Sequence, residues 1–162
     1  NLVLVKTNQR EQEKEIFGFT TLRVWSELFP VVLDLEELLR DKVANPPVPP
    51  ACPDCNVGEA SGTVDKLLMT ANQALEYLVT GYYKFYLAEK YLAYNHAREQ
   101  ISITQFLLYR LGFTKILAKE KVLEFGARLG ESIKMANSLI KNLENKIRRV
   151  DDMKFIMEKT RE

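Results

Sequence analysis

"VLEFGARLGESIKMANSLIKNLENKIRRV", residues 122–150, is the stretch on which the fold turns. Within it Val122, Gly126, Leu129, Ile133, Ala136, Ile140, Leu143, Ile147 and Val150 follow one another at alternating spacings of four and three. That period belongs to a coiled-coil-like helix that buries one seam against another helix. Lys121, Arg128, Lys134, Lys141 and Glu144 flank the seam, and Asp151 and Asp152 blur its end. An apolar seam of this length has to be covered, because exposed it invites association. Glycine at 126 and alanine at 136 suit close helix approach more than a plain two-stranded zipper. The predicted partner is therefore another helix of the same chain.

Upstream of the seam, Gly112 follows Leu111 and precedes Phe113, which reads as a helix stop with a left-handed glycine and a fold-back hydrophobic contact. The few residues left before 115 predict a tight reversal, with an arm over 64–111 lying antiparallel to 115–150. In that arm Val64, Leu68, Ala71, Leu75, Leu78, Tyr82 and Phe85 make one face. Gly81 is a weak point in it, and a break is expected at Asn95–Gln100. Ser61 or Thr63 is the candidate N-cap. Further back, residues 11–28 and 31–43 read as two helices, or one kinked at Pro30, with Ile16, Phe19 or Thr20, Val24 and Leu28, then Val32, Leu35, Leu38 or Leu39, and Val43 on the apolar side. "NLVLVK" at the start reads as a short strand, with residues 1–10 a terminal extension or the stump of a preceding domain. The expectation is one all-α domain over 1–162, an up-and-down bundle of about four helices.

The totals agree with a folded domain and exclude little else. The 162 residues are 46% hydrophobic and 28% charged, with a net charge of +1, so no overall field draws the chain to nucleic acid or a membrane surface. Residues 1–113 carry 11 basic and 14 acidic side chains and residues 114–162 carry 12 and 8, a mild asymmetry. No apolar run approaches the ~20 residues a membrane-crossing helix needs. A secretory leader pattern is not visible, and two cysteines make no disulfide framework, which points to a cytoplasmic location.

Catalytic patterns are missing. There is one histidine, His96, so several imidazoles cannot meet on a metal within one chain. Paired Glu-x-x-His motifs, phosphate-binding glycine loops, GxSxG and HExxH are all lacking. His96 and Glu99 lie one turn apart, close enough to share a proton, or simply to pair on a helix surface. The chain is read as a non-catalytic interaction or scaffolding module that works through helix faces, with a protein partner or a second copy.

Two stretches stand out from that background. "YLVTGYYKFYLAEKYLAYNH" interleaves aromatic rings with cations, which is how single strands of nucleic acid are gripped. Its candidate binding residues are Tyr82, Tyr83, Lys84, Tyr86, Lys90, Tyr91, Tyr94 and Arg98; a tyrosine belt between helices explains the same rings. In its richness in Tyr, Leu, Ala and Glu this stretch resembles the helical domains that follow nucleotidyltransferase folds, although the RxxxxH motif of the related helical ribonucleases is missing. The resemblance implies the alternative function, an accessory domain or subunit of an enzyme that processes nucleotides or nucleic acid. The other stretch is the loop over 44–63, which holds five of the six prolines and the pair Cys52 and Cys55. Two thiolates at CxxC spacing fill adjacent corners of a tetrahedral zinc site. With no second pair in this chain, such a zinc has to be completed by another chain. An inert loop and a disulfide remain the other two readings of the same cysteines.

Overall fold

Val24, Leu28, Val31, Val32, Leu35 and Leu39 recur every three or four residues and are all buried, which is the reason Arg23–Ala44 forms a helix with one face inward. The same logic organises the rest of the chain. The computed structural model describes residues 2–44 and 57–159. In chain order these form α1 (Leu2–Ile16), a 3-10 turn (Gly18–Thr21), α2 (Arg23–Ala44), α3 (Val57–Tyr83), α4 (Leu87–Phe113) and α5 (Lys119–Lys159). The expected count of four helices thus becomes five α-helices and a short turn, with no strand among the described residues. The CxxC segment, with Cys52 and Cys55, lies outside the described residues.

Four of the helices enclose the core. α2 packs on α3 and α5, and α4 packs on α3 and α5, so α2 faces α4 across a diagonal. Contacts give the directions. Thr70 of α3 meets Thr104 of α4 at 2.8 Å, and Gly81 meets Tyr94, so the two helices are antiparallel. Gln105 donates to the Gly126 carbonyl at 2.9 Å and Arg98 to Asn137 at 3.1 Å, which sets α5 antiparallel to α4. Asn72 of α3 donates to Glu36 of α2 at 2.8 Å while Phe19, just before α2, meets Tyr83 at the end of α3, so α2 is antiparallel to α3. Arg128 of α5 pairs with Asp34 of α2 at 2.7 Å. The result is an up-and-down ring. Leu28, Leu35, Leu39, Leu67, Leu78, Ile101, Leu108, Leu111 and Leu129 fill it with almost no solvent exposure. Among the described elements α1 packs on the 3-10 turn alone.

The α5 seam is intramolecular. Leu129, Ala136, Ile140 and Leu143 are buried against the bundle, and Val122, Ile133 and Ile147 pack at its edge. Phe125 and Ser132 are buried as well, so the inward face is wider than a heptad stripe, as expected of a helix with two neighbours. Val150 is exposed, which ends the seam a turn early.

Several boundaries differ from expectation, each for a physical reason. Residues 2–6 are helical in α1 rather than a strand. Of the two readings at Pro30 the continuous helix is found, since Pro30 lies inside α2, while the chain breaks earlier, at Phe17–Leu22. Its ring is on the exposed side, while Leu28, Val31 and Val32 hold the helix to the core on either side. α3 begins at Val57, so Ser61 and Thr63 are inside the helix and do not cap it. The arm over 64–111 is two helices, split at Lys84–Tyr86, while Asn95–Gln100 runs unbroken through α4. The polar side chains there are used across the fold: Arg98 donates to Asn95 at 2.9 Å as well as to Asn137.

Gly112 acts by size. It does not take a positive φ; Lys115 does, at 61°. The Ile116 amide donates to the Leu111 carbonyl at 3.0 Å and the Lys115 amide to the Gly112 carbonyl at 3.1 Å. Those two bonds are the 6→1 and 5→2 pair of a Schellman cap with lysine where glycine is usual. A Cβ on Gly112 would sit 2.7 Å from a methyl of Val122, so the missing side chain lets α5 start against the end of α4.

Two outcomes follow from this corner. Gly112→Ala is expected to lower stability by about 1–3 kcal/mol, with Val122→Ala in the same chain restoring most of it, as measured by urea unfolding. Lys115→Gly is expected to raise stability by about 1 kcal/mol, because it relieves a left-handed non-glycine residue.

Candidate functional site

The turn between α3 and α4 and the elbow between α1 and α2 meet at one end of the bundle, and both are built of aromatic residues. Gly18 has no Cβ because the Tyr82 hydroxyl occupies that space. Phe19 then stands edge-on to Trp25 at 4.9 Å and to Tyr83 at 6.4 Å, and Trp25 stacks on Phe29 at 4.7 Å. Edge-to-face and stacked rings at these distances hold an elbow together without a large core beneath it. Ile16, Phe17, Tyr83, Phe85 and Tyr86 remain exposed around it, Phe85 at 86%.

The structure divides the eight residues of the tyrosine-rich stretch into two groups. Tyr83, Lys84 and Tyr86 are exposed at this end, with Phe85 between them. The other five are engaged inside the fold. Lys90 reaches back from α4 and donates to the carbonyls of Gly81 at 3.1 Å and Tyr82 at 2.6 Å, which caps the negative end of α3. Its ammonium also lies 5.7 Å from the centre of the Tyr82 ring. Burial, and then the charge of Lys146 on α5, push the Lys90 pKa below its usual value. Tyr91 donates to Glu144 at 3.0 Å, Arg98 bridges to α5, and Tyr94 is buried against Gly81. His96 and Glu99 form an exposed pair at 3.5 Å, a helix-surface contact.

A second surface escapes the tyrosine reading altogether. On the side of α4 turned away from the bundle, Leu92, Ile103, Phe106, Tyr109 and Phe113 are exposed, Phe106 at 60% and Phe113 at 80%. Ala97, Ile101, Leu107, Leu108 and Leu111 of the same helix are buried. α4 is therefore apolar on both sides, and two apolar faces cancel the periodicity that marks a surface helix. Read by itself, the outer face is a heptad: Leu92, His96, Glu99, Ile103, Phe106, Arg110 and Phe113 are spaced four, three, four, three, four and three. That spacing was the signal available in the sequence.

Metal chemistry has no foothold in the described part of the chain, where no three His, Cys, Asp or Glu side chains gather in a way that could hold an ion. Nor is any helix there long and apolar enough to cross a membrane. No family model, curated protein or solved structure matches the chain.

Tyr94 offers a measurable handle on the aromatic end. Burial, and then the neighbouring Tyr82, push its phenol up to about 12 from an ordinary 10.0. The fold thus favours the neutral ring. Its contribution is complete below the unfolded value near 10.0 and is lost as pH rises through about 12. Across that window the urea midpoint of the native chain should fall more steeply than that of Tyr94→Phe.

Proposed function

We propose that the chain is a non-catalytic helical interaction module, and that the outer face of α4 is where it meets its protein partner. The observation that carries this reading is the exposure of Ile103, Phe106 and Phe113 in one line on a helix whose opposite side is already core. Soluble monomers keep contiguous apolar patches small, and larger ones mark docking sites. A line of anchors at three-to-four spacing is also how one helix seats against another protein. Phe106 and Phe113 have the size of interface anchors.

The aromatic end supports a second reading, contact with single-stranded nucleic acid. Tyr83, Lys84, Phe85 and Tyr86 set exposed rings beside a cation. Arg148 and Arg149, also exposed, lie one turn past Glu144, at the same end of the ring. Stacking rings flanked by cations grip a strand without reading its sequence.

Tagged chain recovered from its own cell type separates the two. The expected result is a protein bound to the native chain, whether a different polypeptide or an untagged copy, that falls by about tenfold or more with Phe106→Asp and persists with Phe85→Ala. Salt-sensitive binding of short single-stranded RNA or DNA that drops with Phe85→Ala and ignores Phe106→Asp moves the function to the aromatic end.

A further inference from the structure

The outer face of α4 has an order as well as an apolar character, and the order is self-complementary. From its N-terminal side the paired segment reads His96, Glu99, Ile103, Phe106, Arg110, Phe113, and every one of these is exposed. Turned end for end about a point between Thr104 and Gln105, the list meets itself residue by residue. Phe113 comes opposite His96, Arg110 opposite Glu99, and Phe106 opposite Ile103, with each layer repeated by symmetry. We propose that a second copy of this chain covers the face, with the two α4 helices antiparallel about a two-fold axis.

This is an isologous contact, in which the same patch serves both partners. Each layer makes chemical sense. Ile103 and Phe106 form the dry centre. Glu99 and Arg110 close it on both sides with opposite charges, and at the ends a ring lies over an imidazole. Heptad spacing keeps one stripe facing its partner along the contact, from His96 to Phe113, a length of about 25 Å. Tyr109 and Ser102 lie beside the stripe, and Leu92 extends toward the partner's turn between α4 and α5. A parallel arrangement places Glu99 against Glu99 and Arg110 against Arg110, and like charges in register disfavour it. The stripe buries on the order of 1,000 Å² in total, the lower end for specific complexes, so the dimer should dissociate in about the micromolar range.

The intrahelical pair of His96 and Glu99 does not compete with this arrangement. At 3.5 Å between half-exposed groups it is a loose contact, and a carboxylate has room for a second partner. The His96 ring also rests 5.2 Å from the Tyr77 ring of α3, which holds it at the edge of the stripe.

The inference rests on the interaction reading above, so its test uses purified chain alone, which that reading's test does not. Full-length protein carrying Cys52→Ser and Cys55→Ser, so that loop thiols add nothing, is followed by sedimentation equilibrium and light scattering from about 1 µM to about 500 µM. A concentration-dependent dimer is expected. Phe106→Asp should weaken it by about 30-fold or more with helicity unchanged, since the side chain is exposed. Glu99→Arg alone and Arg110→Glu alone should each weaken it by about tenfold. Mixing those two single variants should restore a heterodimer to within about threefold of the native affinity, because both cross-pairs are again opposite in charge. Failure of that mixture to recover overturns the antiparallel register, and a dimer indifferent to Phe106→Asp overturns the face. A chain that stays monomeric throughout overturns the second copy, and leaves the interaction reading to stand or fall on a cellular partner released by Phe106→Asp.

Discussion

An edge of the Tyr94 ring fills the space where Gly81 has no side chain, and the close pairing of α3 and α4 on which the bundle is built needs that space. A Cβ at position 81 would be 2.6 Å from the ring. With the ring in place, α3 and α4 approach closely enough for Thr70 and Thr104 to share a hydrogen bond in the core. The chain then has three residues in which to reverse, and it manages because Lys90 supplies from α4 the cap that α3 lacks in its own sequence. A partly buried lysine bound to two carbonyls gives up some hydration, which is reflected in its lowered pKa. Those carbonyls would otherwise end a helix with few partners in a crowded corner. Rigid pairing of α3 and α4 in turn fixes the groove into which the seam of α5 fits.

The parts of the fold that were legible in the sequence are those where one helix face is apolar and the others are polar. α5 shows this best: its lysines and glutamates mark what is outside, and Leu129, Ala136, Ile140 and Leu143 are buried as their spacing implies. α2 was legible too, apart from Pro30, which tertiary packing on both sides overrides. The split at Lys84–Tyr86 was not. Gly81 marks a weak point three residues earlier, but neither proline nor glycine stands at the split itself, and the cap comes from Lys90, four residues beyond Tyr86. Gly112 was recognised as a terminus, but the left-handed residue is Lys115 and the glycine serves Val122 instead.

Of the candidate binding residues, the aromatic ones could be found by type but not sorted by position. Tyr91 and Tyr94 differ from Tyr83 and Tyr86 only in where the helix turns them, and that depends on the split the sequence hides. The outer face of α4 was obscured for the opposite reason. Its heptad overlies a second apolar stripe on the same helix, so the two together read as general hydrophobicity. Separating them requires knowing which side the neighbouring helices take.

The ring order of the four helices has a kinetic meaning. α2 with α3, α3 with α4 and α4 with α5 are neighbours in sequence as well as in space, and such local contacts form early and fast. The remaining side, where α5 meets α2, joins Arg128 to Asp34 across 94 residues of chain. Formed directly in an open chain that contact would close a loop costing about 4 kcal/mol, whereas the three local pairings bring its ends together step by step. Assembly of the bundle thus resembles a strip of three hinged panels that curls until its free edges touch. By that order the side where α2 meets α5, bridged by Arg128 and Asp34, is the one expected to open first.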